Sequence, residues 1–168
     1  MSTKYGQRPV SEIYDDIRRW VDYYRSTSGI FFDEQSKDDN DVALYRELFA
    51  YARNAIGNAL VVGNPGVIPS ERYTSEAGAD LECLFESEES FDLFVPPDWT
   101  IEYPDRFCAL LLNVSHADSM KKHLRKAFHE GIGTVYATNR KTNGNSQNPW
   151  DSLPKYWDDE VDTLIQLT

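Results

Sequence analysis

GIFFDEQS, residues 29–36, decides how this chain is read. A glycine opens the stretch, three apolar residues follow, and two adjacent carboxylates, Asp33 and Glu34, come next. The apolar run has the length of a short strand. A strand that finishes in two acids has three candidate purposes: to cap the next helix, to hold a metal, or to carry acid–base chemistry.

Working outward, the flanking segments read as helices. Over residues 10–27, Ile13, Ile17, Val21 and Tyr24 recur at spacings of three and four, with Pro9 just ahead. Residues 39–56 place Tyr45, Leu48, Phe49, Ala52 and Ile56 on one side, and Gly57 ends that helix. ALVVGN (59–64) is a second strand, followed by a turn at NPG. DLECLFE (80–86) is a third, and residues 88–94 form a short helix stopped by Pro96 and Pro97. FCALLLNV (107–114) is an unbroken apolar run, as a strand buried on both faces requires. A helix over 117–130, a fifth strand at GTVYAT (133–138), a polar loop at NRKTNGNSQN (139–148) and a last helix over 154–167 complete the chain.

Strands alternating with helices imply right-handed βαβ units and a parallel sheet. The expected strands end in polar residues: Asp33 and Glu34, Asn64, Glu86, Asn113 with His116, and Thr138 with Asn139. Ligands of parallel α/β folds bind at the carboxyl ends of the strands, so these residues stand where a site belongs.

The bulk numbers narrow the partners. The chain has 168 residues, which suggests one domain over 1–168, with 40% hydrophobic and 27% charged residues. A net charge of −11 repels phosphate backbones and anionic membranes, so neither nucleic acid nor membrane is an expected partner. No apolar run reaches the roughly 20 residues that cross a bilayer, and MSTKYGQRPV lacks the apolar core of a signal peptide. Cys83 and Cys108 lie in apolar runs without a CxxC, which favours buried free thiols over a disulfide between neighbouring strands.

Asp38, Asp39 and Asp41 lie where acids favour a helix N-terminus. The Asp/Asn–Gly–Glu spacing of an EF-hand is absent, and no metal or other cofactor is expected. Asp33 and Glu34 come too early to cap the following helix; on the residues alone, functional and structural readings weigh equally. Side chains alternate along a strand, so the two acids share a direction only if the strand bends there. Glycoside hydrolysis uses paired carboxylates, one to protonate the leaving oxygen and one as nucleophile or water activator, and Glu86 offers a third acid. There is no GxSxG elbow and no glycine-rich phosphate loop. His123 and His129, in KKHLRKAFHE, are expected to face solvent.

YGQR (5–8), GIFFDE (29–34), VVGNPG (61–66), CLFE (83–86), His116 and NPWDSLPKYWDDE (148–160) occur in that order in one family. The chain resembles spherulin-4 proteins (spherulation-specific family 4) over essentially its whole length. These are (β/α)8 barrels similar to the fungal endo-α-1,4-N-acetylgalactosaminidase glycoside hydrolases. The resemblance implies cleavage of α-1,4-linked amino-sugar polysaccharide, with Asp33, Glu34 and Glu86 catalytic. By position it places Tyr5, Arg8, Asn64, His116 and Trp150 around the sugar groove. It also implies that roughly three β/α units normally precede the segment matching residues 3–8. The expected fold is therefore a partial (β/α)8 TIM barrel of about five parallel strands, the first three units missing. Its sheet edges would be open, compatible with a homo-oligomer, and the units that normally supply the rest of the groove would be missing. A second reading is thus a catalytically inactive carbohydrate-binding or structural remnant of the fold. A full-length member would be extracellular.

Overall fold

The computed structural model describes residues 1–103, 105–142 and 148–167. The polar loop expected over 139–148 lies partly outside them. The protein is α/β. Its elements follow the order α1 (Val10–Tyr23), β1 (Gly29–Asp33), α2 (Val42–Ile56), β2 (Leu60–Asn64), β3 (Leu81–Ser87), β4 (Phe107–Leu111), α3 (Ala117–His129), β5 (Thr134–Ala137) and α4 (Trp157–Leu167). The five strands form a sheet in the order β1-β2-β3-β4-β5, with parallel pairing of β1 with β2, β2 with β3 and β4 with β5. The chain packs as two compact units, Met1–Leu84 and Phe85–Thr168. Among the described residues, no helix is long and apolar enough to cross a membrane.

In the first unit, the helix periodicity becomes packing. Ile13 and Ile17 of α1 join Ile30 and Phe32 of β1 and Tyr45, Leu48 and Phe49 of α2 in one buried cluster. The Phe32 and Phe49 rings lie 5.1 Å apart. β1 and β2 run in register from Gly29 opposite Leu60 to Asp33 opposite Asn64. Their approach is close: a Cβ on Gly29 would stand 2.4 Å from the Leu60 carbonyl oxygen. α2 starts at Val42 rather than 39, because Asp39–Asp41 form a 3-10 turn whose cap is Asp38, its carboxylate accepting from the Asn40 N–H. The acidic run therefore does cap, through Asp38, while Asp41 makes no side-chain cap bond.

Two features of this unit were not anticipated. A π-helical turn, Tyr73–Ala77, buries Tyr73. Residues 1–3 also pair alongside β1: Asp33 N–H donates to the Met1 carbonyl at 2.8 Å, and Thr3 N–H donates to the Asp33 carbonyl at 2.9 Å. The resulting Ser2–Asp33 bridge is parallel.

In the second unit, β4 is apolar throughout and mostly buried, and it pairs with β5 from Cys108 opposite Thr134 to Leu111 opposite Ala137. Met120, Leu124 and Ala127 form the buried face of α3. His123 shares that face, contrary to the expectation that it faces solvent. It is 9% exposed, and its Nε2 stands 3.4 Å from an Asp92 oxygen. Its spacing from Met120 and Ala127 puts it inward despite the charged neighbours in sequence. Burial lowers its pKa below the usual 6.5, with Asp92 pulling the other way. His129 is exposed, as expected. Both cysteines are buried thiols outside any disulfide.

Candidate functional site

β1 delivers Asp33 to its carboxyl end, directly opposite Asn64 at the end of β2. The pairing continues through the side chains, with Asn64 Nδ2 donating to Asp33 Oδ1 at 2.9 Å. Asn64 is 3% exposed and its own Oδ1 accepts from the Gly66 N–H at 3.0 Å, so Asp33 is oriented by a fixed amide.

Glu34 leaves the strand. Its φ is 51°, in the left-handed region that L-residues seldom occupy. This bend breaks the alternation that would send adjacent side chains to opposite faces. The turn is held from several directions. The Glu34 carbonyl accepts from the Tyr5 N–H and from Thr3 Oγ1, each at 2.7 Å, and its carboxylate accepts from the Ser2 hydroxyl. Tyr5 belongs to a second strained segment: Lys4 and Tyr5 have φ of 49° and 54°. Its ring side is open, the residue being 57% exposed. The fold thus brings Asp33, Glu34, Asn64 and Tyr5 together.

Arg8 plays a different part from the one expected of a groove residue. Its guanidinium donates to Asp16 at 2.6 Å, to Glu12 at 3.4 Å and to the Ser2 carbonyl at 3.2 Å. The Asp16 hydrogen bond raises its pKa further. Arg8 ties α1 to Ser2, whose hydroxyl holds Glu34.

A buried polar group behind this turn escaped the sequence reading. Glu82 is 0% exposed, and Gln35 Nε2 donates to it at 2.9 Å. Glu82 stands opposite Gly63, which stands opposite Phe32. A Cβ on Gly63 would lie 2.0 Å from Gln35 Oε1 and 2.8 Å from both Glu82 oxygens, so only glycine leaves room for this pair. One signal was present: a glutamate inside the apolar run LECLF, since fully buried carboxylates are rare unless paired.

The remaining expected residues belong to the second unit. Glu86 is half-buried, one residue before the end of β3. Ser87 accepts the Leu112 N–H at 3.0 Å, and the Glu88 carboxylate accepts the Thr142 N–H at 2.5 Å. His116 is exposed, and its carbonyl opens α3 by accepting from Met120 N–H at 3.0 Å. Trp150 is 39% exposed and its ring lies 5.8 Å from that of Tyr136, which in turn lies 6.1 Å from Trp157. Among the described residues, no group of three or more His, Cys, Asp or Glu side chains is arranged to hold a metal ion.

The parallel sheet with its surrounding helices makes this an α/β protein, and Asp33 and Glu34 at the carboxyl end of β1 are its candidate site residues. The model of spherulation-specific family 4 matches residues 1–164, and the chain belongs to that family. Spherulin-4 of Physarum polycephalum is 30% identical over 94 residues, covering 51% of this chain and 28% of that protein. The match therefore spans little more than a quarter of that relative's length. No solved structure matches the chain.

Proposed function

We propose that this protein is a glycoside hydrolase acting on α-1,4-linked amino-sugar polysaccharide, N-acetylgalactosamine or galactosamine in kind. The observation that carries the reading is the turn at the end of β1. Asp33 is oriented by Asn64, and Glu34 is swung out of strand alternation by its left-handed backbone. Two consecutive carboxylates at a strand's carboxyl end, Asp33 held by Asn64 and Glu34 by Ser2, are the residue types that the acid and nucleophile or base roles of glycoside hydrolysis use. Glu86 is the further carboxylate in this proposal. Tyr5 offers an exposed ring for sugar stacking, and Asn64 and Arg8 act by holding the turn. His116 and Trp150 are proposed as further substrate contacts. The sheet is proposed to be an arc of a (β/α)8 barrel, supported by its sequential parallel order and by the pairing of residues 1–3 alongside β1.

A non-catalytic carbohydrate-binding role is the second reading. The exposed Trp150 ring beside Tyr136 favours it, because ring faces bind sugars without any acid. The test is to incubate the protein with acetylated and deacetylated α-1,4-galactosamine polymers and to count new reducing ends. Hydrolysis by wild type and its loss in Glu86→Gln is the expected result. Equal, negligible release by both, with retained polymer binding, would replace the first reading by the second.

A further inference from the structure

We propose that Tyr45, Gln35 and Glu82 are positioning residues for the acidic turn, a buried polar brace that holds Asp33 and Glu34 in one arrangement. The role rests on the hydrolase reading above. The brace lies on the face of the sheet that carries Phe32, against α2, opposite in character to a site open to substrate.

Three links connect the brace to the turn. Gln35 follows Glu34 directly. Its backbone N–H donates to the Asn64 carbonyl at 2.9 Å while its side chain donates to Glu82 at 2.9 Å. It therefore grips the residue that orients Asp33 and the buried acid behind it. Tyr45 Oη accepts the Ser36 N–H at 2.9 Å and is bonded to Thr3 Oγ1 at 2.6 Å. Thr3 Oγ1 in turn donates to the Glu34 carbonyl at 2.7 Å. A hydroxyl has one proton, so the direction of the chain is set: Tyr45 O–H donates to Thr3, and Thr3 O–H donates to Glu34. Finally, Tyr73 donates to the Asp38 carbonyl at 2.7 Å, which pins the far end of the segment.

Every member is buried: Thr3, Tyr45, Tyr73 and Glu82 are 0% exposed and Gln35 is 1% exposed. A buried carboxylate and amide are costly compared with an apolar pair of the same size. Their use here goes with specificity of geometry, because the brace opposes the relaxation of Glu34 out of its left-handed backbone. Outer residues of this kind typically change activity about 10–100-fold when removed.

The test uses Tyr45→Phe, which deletes one oxygen, and Thr3→Val, which breaks the same chain at its next link. Three quantities are measured on wild type and both variants: Ser36 amide exchange, NMR titration of the Asp33 and Glu34 carboxyls, and kcat, KM and the pH–rate profile on deacetylated α-1,4-galactosamine polymer. In Tyr45→Phe the Ser36 amide is expected to exchange at least about tenfold faster, because its acceptor is gone. In both variants kcat is expected to fall about tenfold or more at similar KM, with shifted limbs of the pH profile. A purely structural role would lower the melting temperature and leave kcat and both profiles of the folded protein unchanged, and that result overturns the proposal. Should wild type release no reducing ends, the hydrolase reading fails on its own. The brace is then judged by the exchange and the carboxyl titrations, and unchanged curves in both variants overturn it. If Tyr45→Phe does not fold, Thr3→Val carries the kinetic and carboxyl-titration outcomes.

Discussion

Glu160 offers a sharp test of how the second unit is held together. It is 1% exposed on α4, and its Oε1 accepts the Ala137 N–H of β5 at 2.8 Å. Its other oxygen, Oε2, is buried without a hydrogen-bond partner among the described residues. Burial pushes its carboxyl from the ordinary 4.5 up to about 7, against the downward pull of the Ala137 N–H. The folded protein thus binds this proton more tightly than the unfolded chain does. The stabilisation is fully present below pH 4.5 and is lost as pH rises through about 7. At 1.36 kcal/mol per pKa unit the loss is about 3 kcal/mol. For a protein of this size that corresponds to roughly 6–12 °C in melting temperature. Glu160→Gln keeps an oxygen for Ala137 and removes the titration. Calorimetric melts of both proteins from pH 4.5 to 8.5 are expected to diverge, with the variant gaining on wild type as pH rises. Parallel pH profiles would refute the assignment of a neutral, buried Glu160.

Two further outcomes follow from packing and charge. Gly63→Ala drives a methyl into Gln35 and Glu82, and urea midpoints are expected to report a loss of about 1–3 kcal/mol. A neutral substitution there would contradict the tight fit of Gln35 and Glu82 over β2. NMR titration of His123 is expected to give a midpoint below 6.5, since burial disfavours its cation. Its contribution to stability is therefore present above pH 6.5 and is lost as pH falls from there through the lower folded midpoint; a midpoint above 6.5 would show that Asp92 outweighs burial.

Much of the frame was legible in the residues. The apolar runs at 30–32 and 107–111 were long enough for strands and too short for helices, and the Asp33–Glu34 boundary was visible as an abrupt change from apolar to acidic. What stayed hidden depends on contacts between distant residues. Whether Glu34 continues the strand or turns is decided by Ser2, Thr3 and Tyr5, more than 25 residues away in sequence. Glu82 read as one polar residue in a strand, because the glycine that makes room for it lies on the neighbouring strand. His123 was misplaced because the charged residues around it outweighed the three- and four-residue spacing of Met120, Leu124 and Ala127. Residues 1–3 are too short to show any periodicity, so their pairing with β1 was invisible.

The central claim is that the acids at the end of β1 perform hydrolysis. The most direct measurement is the initial rate of reducing-end formation from α-1,4-galactosamine polymer by wild type, Asp33→Asn and Glu34→Gln, compared at equal melting temperature. Loss of a positioned acid or base is expected to reduce the rate by about 10²–10⁴-fold. Wild-type rates in both variants would contradict the claim.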